Sequence, residues 1–176
     1  MLYLDLENIS NSVNAVRMSH DEVAANCVAA QKCKMYLPPG ENRFLHADEY
    51  ATLPRATPTA TKDESAGSAA VAKPATLVAH NLETCAAVVL SGPSGFAMYH
   101  AGSGVIAEDT ITKVSAKIGK ISELKIIYAI PRAVDTNYEL ALKKLISMGV
   151  NTNNLIVLVN VGRSFCVNEQ GLVGEL

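Results

Sequence analysis

Cys85 and His100 are the residues whose types and spacing best fit nucleophilic chemistry. An apolar stretch, Cys85-Ala-Ala-Val-Val-Leu90, leads into a turn, Ser91-Gly-Pro-Ser-Gly95, and a return stretch, Phe96-Ala-Met-Tyr-His100. Two apolar runs around a Gly/Pro/Ser turn predict a β-hairpin. If Leu90 pairs with Gly95, Cys85 falls directly opposite His100, and opposed residues share a face. Their Cβ atoms would then be about 4.5–5.5 Å apart. At that range an imidazole can take the thiol proton and leave a thiolate, the reactive form of cysteine. A slip of one residue would put the two on opposite faces.

The remaining reactive side chains fit other roles. Cys166 sits in a strand pattern, Arg163-Ser164-Phe165-Cys166, with no histidine near it in sequence, so core packing is expected. Cys27 shares a helical stripe with Val23, Ala30 and Lys34 and reads as a small buried hydrophobe. The four cysteines (Cys27, Cys33, Cys85, Cys166) include no CxxC pair, and the four histidines (His20, His46, His80, His100) do not gather at zinc spacing. No metal site and no cofactor are expected. Asp135 and Glu139 fit helix capping, and the Gly-rich pieces at 91–95 and 101–104 match neither phosphate-loop pattern.

The elements that must position the pair lie after Pro74. Residues 75–78 and 85–90 read as strands buried on both faces. Asp109 can cap a helix carrying Ile111, Val114, Ile118 and Ile121. Lys125-Ile-Ile-Tyr-Ala-Ile130 is a strand stopped by Pro131, and Thr136-x-x-Glu139 opens a helix through Met148 with Gly149 as its C′ residue. Residues 155–159 form another strand, and 164–167 with 172–174 a final hairpin. Before this, residues 1–51 form an N-terminal helical segment, with a capping box Ser19-x-x-Glu22, a helix over 20–34 and a stop at Pro38-Pro39-Gly40. Residues 52–74, rich in Ala, Thr, Pro, Ser and Lys, read as a flexible linker. The domain proper is then 75–176, with the N-terminal segment either separate from it or docked on it.

In a chain of 176 residues, 49% hydrophobic but only 5% aromatic and without Trp, the core must rest on Val, Ile, Leu and Ala. The expected class is α/β of the α+β kind: a mixed, mainly antiparallel sheet core flanked by helices. A net charge of −2 gives no field to draw in nucleic acid. No apolar run reaches the roughly 20 residues of a membrane span, and the first ten residues carry acids where a secretory signal carries Lys or Arg. The expected place of synthesis is a cytoplasm, and free thiols are the default there.

Glu83-Thr84-Cys85, the hairpin, and Met98-Tyr99-His100-Ala101-Gly102 together resemble the cysteine and histidine motifs of the protein glutamine deamidases, namely the cytotoxic necrotizing factor toxins and the chemoreceptor deamidase CheD. Residues 140–149 followed by Asn154-Leu155-Ile156-Val157 also look like the CheD order of helix, turn and strand. The likeness covers about residues 76–160. It implies a CheD-like or toxin-like sandwich, Cys85 as nucleophile, His100 as base, and a protein substrate presenting a glutamine side chain. Two positions depart from the pattern: Glu83-Thr84 replace a Ser-Gly or Gly-Ser pair, and Ala79 stands where CheD-like proteins have Thr. The third member of the site is therefore open between a backbone carbonyl, as in the toxins, and the side chains of Thr76, His80 or Asn81.

The expected activity is a cysteine hydrolase converting Gln to Glu through a thioester. If an amine entered the thioester instead of water, the same pair would give a transglutaminase. The alternative from another class is an inactive binding module with a deamidase-like fold. CheD-like proteins serve chemotaxis and the toxins act inside host cells. The 52–74 segment and the extra N-terminal piece lean toward a bacterial effector delivered into a host cell.

Overall fold

In a computed structural model, which describes residues 2–5, 18–19, 41–55, 75–131 and 138–176, the apolar runs assemble into two mixed sheets. The strands are β1 (Leu2–Asp5), β2 (Met18–Ser19), β3 (Glu41–Leu45), β4 (Tyr50–Pro54), β5 (Ala75–His80), β6 (Ala86–Gly92), β7 (Gly95–Ala101), β8 (Lys125–Ile130), β9 (Leu155–Val159), β10 (Ser164–Asn168) and β11 (Leu172–Glu175). The helices described are α1 (Glu108–Ile118) and α2 (Tyr138–Ser147). One sheet has the order β1-β9-β8-β6-β7-β4, the other β2-β11-β10-β5-β3. Pairing is antiparallel except at β1–β9, β8–β9 and β3–β5. The chain is thus an α+β protein with mostly antiparallel sheets.

Strand alternation explains the layers. Ala87, Val89, Phe96, Met98, Ile127, Ala129, Ile156 and Leu158 of the first sheet cluster with Leu77, Ala79, Phe165, Val167 and Val173 of the second. The intervening residues Val88, Leu90, Tyr99, Ile126, Tyr128 and Val157 pack against Ile111, Val114 and Ile118 of α1 and Ala141, Leu142 and Leu145 of α2. At β6, β7, β8 and β9 the first sheet is therefore the middle layer, buried on both faces. This is why its strands read as continuous apolar runs rather than alternating ones.

Both helices match their sequence signals with small shifts. α1 starts two residues early, with Ala107 in the cap position and no side-chain cap, so Asp109 sits inside the first turn, where its charge favours the helix dipole. Ile121 lies beyond the helix, in a short 3₁₀ turn after Gly119. α2 ends as expected: Gly149 takes φ 99°, its N–H bonds Ile146 O at 2.9 Å, and Val150 N–H bonds Leu145 O at 3.1 Å. This double closure is a Schellman motif, and Val150 and Leu145 share the same apolar cluster. Lys144 of α2 donates to the Glu108 carboxylate of α1.

The N-terminal part differs from its reading. The described portions of residues 1–51 are strands joined at one corner, residues 46–49, and the strands are built into the same two sheets as residues 75–176. The expected helix over 20–34 and the capping residue Glu22 lie outside the described residues, as do Thr136 and residues 56–74. Thr52, Leu53 and Pro54, read as the start of a linker, instead pair with Ala97, Phe96 and Gly95. β4 is an edge strand, and Pro54 is its last residue, so its missing N–H costs no ladder bond.

Candidate functional site

The hairpin exists, but in a different register. Gly92 pairs with Gly95, leaving a loop of Pro93 and Ser94, and His100 pairs with Ala87 rather than Cys85. The cause is tertiary. A Cβ on Gly92 would lie 2.2 Å from Ile118 O, and Ser94 N–H donates to that same carbonyl at 3.1 Å. The C-terminal end of α1 thus rests on bare backbone at the hairpin tip, which holds the glycines in the ladder and tightens the turn.

The slip is two residues, so face parity survives. Cys85 packs against the same inter-sheet cluster that Ala87 and Met98 enter, and His100 follows Met98 with the same alternation. Cys85 is therefore a diagonal neighbour of His100, for which Cβ separations in a regular ladder are about 7 Å. Cys85 is half-buried, a free thiol just before β6.

His100 is 3% exposed. Its Nδ1 lies 2.9 Å from the carbonyl oxygen of Leu45, on the opposite sheet. A carbonyl only accepts, so Nδ1 carries a proton, and in the tautomer with that single proton Nε2 presents its lone pair. Nε2 is buried and has no hydrogen-bond partner, Cys85 included. An unpaired buried acceptor is costly, which makes it an outlier needing an explanation.

None of the three side chains considered for a third member reaches His100. Thr76 and His80 alternate with Leu77 and Ala79, which enter the inter-sheet core, so both point to the far side of the second sheet. The His80 ring instead stacks edge-on with Phe44, at 5.3 Å between centroids, and with His46 at 5.4 Å. Asn81 is an exposed loop residue with φ 55°. Ala79 faces inward beside Leu45, its partner in the β3–β5 ladder. Orientation of the ring falls to the Leu45 carbonyl, a group that no sequence motif marks.

The loop that leads into Cys85 lines a cleft of about 430 Å³, formed by Leu82, Glu83, Thr84, Pro131, Val161, Gly162 and Arg163. It lies where β6 begins and β8 and β9 end. Leu82 N–H donates to Arg163 O at 3.0 Å, tying the two loops that wall it. Gly162 N–H donates to the carboxylate of Glu175, which is 4% exposed. The sequence carried no signal for this cleft, because its residues come from three separate loops.

Cys166 behaves as core. It is fully buried, its Sγ lies 3.0 Å from Gly174 O, and burial, with a smaller push from the Glu175 charge, raises its thiol pKa to about 12. Such a thiol stays protonated and unreactive. Among the described residues, no three His, Cys, Asp or Glu side chains gather closely enough to hold a metal ion. Nor is any described helix long and apolar enough to cross a membrane.

The chain matches no protein-family model and no curated protein sequence. The functional reading therefore rests on the site.

Proposed function

We propose that the chain is a cysteine hydrolase of the protein glutamine deamidase type, with the sandwich of the CheD and cytotoxic necrotizing factor families. The observation that carries the reading is His100: a buried imidazole oriented by a backbone carbonyl, with a lone-pair nitrogen left unpaired on the face that Cys85 shares. A fold keeps such a nitrogen at a cost, and a proton-accepting role accounts for it.

In the proposed reaction the Cys85 thiol gives its proton to His100 Nε2, and the thiolate attacks the side-chain carbonyl carbon of a glutamine. Backbone N–H groups near Cys85 stabilise the oxyanion. His100 then protonates the departing ammonia, and water, deprotonated by the same nitrogen, cleaves the thioester to leave glutamate. The half-buried position of Cys85, and the cleft lined by Glu83 and Thr84 just before it, give the glutamine its approach. In this reading the wider Cys85–His100 separation closes on substrate binding, as catalytic hydrogen bonds commonly tighten only in the bound complex.

A binding module with the same fold is the second reading, favoured by the missing contact between Cys85 and Nε2 and by Ala79. Two measurements separate them. Incubation with a protein extract, followed by mass spectrometry, should reveal the roughly one-dalton gain of Gln becoming Glu, absent with Cys85→Ser. Iodoacetamide should label the half-buried Cys85 and not the enclosed Cys166, and the labelled protein should lose the mass gain on its substrate. An unreactive Cys85, with no mass gain on any protein, supports the binding module. Addition of a primary amine distinguishes hydrolysis from transglutamination, because the amine product keeps the amide bond.

A further inference from the structure

The corner between β3 and β4, residues 46–49, grips His100 from both sides. Asp48 N–H donates to His100 O at 2.7 Å, and His100 N–H donates to Glu49 O at 2.9 Å. Two residues of β4's leading end thus oppose one residue of β7, the hydrogen-bond pattern of a β-bulge whose first residue is left-handed. That first residue is Asp48, with φ 67°. Glycine is the usual occupant of such a position, because a Cβ there is strained. The corner is closed by Glu49 N–H to His46 O at 3.0 Å and His46 N–H to the Glu49 carboxylate at 2.9 Å.

The Asp48 side chain supplies what glycine would lack. Its Oδ1 accepts from Gly102 N–H at 3.1 Å, just beyond His100. The same oxygen lies 3.5 Å from the Tyr99 hydroxyl, just before it. Gly102 is shaped for this approach: a Cβ there would lie 2.8 Å from Oδ1. Burial, then the negative charge of Asp48, raises the Tyr99 pKa, so the phenol stays a donor. Bulges beside reactive groups re-aim side chains, and left-handed strain on a residue that is not glycine gathers at such places.

We infer that Asp48 is a positioning residue for His100: its left-handed backbone forms the bulge opposite the histidine, and its carboxylate pins Gly102, so that the ring is held with Nδ1 on the Leu45 carbonyl and Nε2 toward the Cys85 face. The catalytic part of this inference rests on the proton-transfer role proposed for His100; the structural part does not. Asp48→Asn keeps both the tolerance for a left-handed backbone and a side-chain acceptor. Asp48→Gly keeps the backbone and loses the acceptor, and Asp48→Ala loses both.

The test reads the ring directly. Nitrogen-15 NMR of the full chain, with the His100 signals assigned by their loss in His100→Phe, distinguishes a ring protonated at Nδ1 from a mixture of tautomers. Wild type and Asp48→Asn should show the single Nδ1–H form, Asp48→Gly a partial loss of it, and Asp48→Ala a mixture. In parallel, kcat for glutamine deamidation should fall about tenfold to a hundredfold in Asp48→Ala with KM unchanged, and recover in Asp48→Asn. A folded Asp48→Ala with the wild-type tautomer and rate overturns the inference. If Asp48→Ala does not fold, Asp48→Gly decides: wild-type ring signals there overturn it equally. Ring signals that respond as expected in a protein that deamidates nothing uphold the positioning role and overturn the proposed reaction instead.

Discussion

Replacing His100 with Phe should separate function from stability. A phenyl ring fills nearly the space of the imidazole, so the cavity term is small. Two polar terms remain, of opposite sign. Losing Nδ1–H leaves the Leu45 carbonyl, 2.9 Å away, without its imidazole donor, at a cost of about 1–3 kcal/mol. Losing Nε2 removes a buried nitrogen that has no partner, which returns about 1–3 kcal/mol. The two offset to within about 2 kcal/mol, or at most about 4–8 °C in melting temperature for a chain of this length. Turnover, by contrast, should fall by about 10²–10⁴, the usual contribution of a positioned acid–base group. Thermal melts and urea titrations give the first quantity, and mass-resolved Gln-to-Glu conversion gives the second. A stability loss well above about 3 kcal/mol would mean that the imidazole is kept for the fold rather than for chemistry, and undiminished conversion would remove His100 from the reaction.

Gly92→Ala should cost about 3 kcal/mol and about 6–12 °C, because its Cβ would meet the backbone carbonyl of Ile118 at 2.2 Å; a melt within 2 °C of wild type would contradict the account of the hairpin tip. Between pH 9 and about 12 the unfolded chain ionises Cys166 while the folded one keeps it protonated. Stability is therefore full below pH 9 and should fall by about 1.4 kcal/mol per pH unit through that window. In Cys166→Ala that part of the alkaline slope should vanish, leaving the contribution of the buried tyrosines, and a slope equal to wild type would refute it. Arg163→Ala, in the wall of the cleft, should raise KM for glutamine substrates and leave kcat unchanged, whereas equal kinetics would remove the cleft from substrate binding.

The sequence was most readable where local chemistry and burial agree. The strand ending at Ile130 is stopped by a proline, and α2 ends on a glycine whose left-handed backbone closes a Schellman motif. β3 was not readable, because four of its five residues are exposed and leave no alternation to detect. β4 was masked by its Ala-Thr-Leu-Pro composition, which in isolation resembles that of residues 56–74. Both are edge strands held by ladder bonds to β5 and β7, and such bonds are made by backbone atoms common to every sequence. The same reason hid the Leu45 carbonyl. A search for a third catalytic side chain among Thr76, His80 and Asn81 could not find a backbone oxygen contributed by a strand that itself was unseen.

The hairpin shows why one part of the site was legible while its register was not. Loops of two and four residues differ by an even number, and side chains alternate with period two, so either loop leaves Cys85 and His100 on one face. Only an odd loop would part them. What the sequence could not weigh was α1, whose last carbonyl needs the bare backbone of Gly92 and the N–H of Ser94. That contact moves Cys85 from directly opposite His100 to a diagonal position outside the ladder. There Cys85 is only half-buried, whereas Ala87, in the opposed position, is sealed between the sheets. A residue directly opposite His100 is enclosed as Ala87 is, so the displacement that breaks the simple pairing is also what leaves Cys85 partly open.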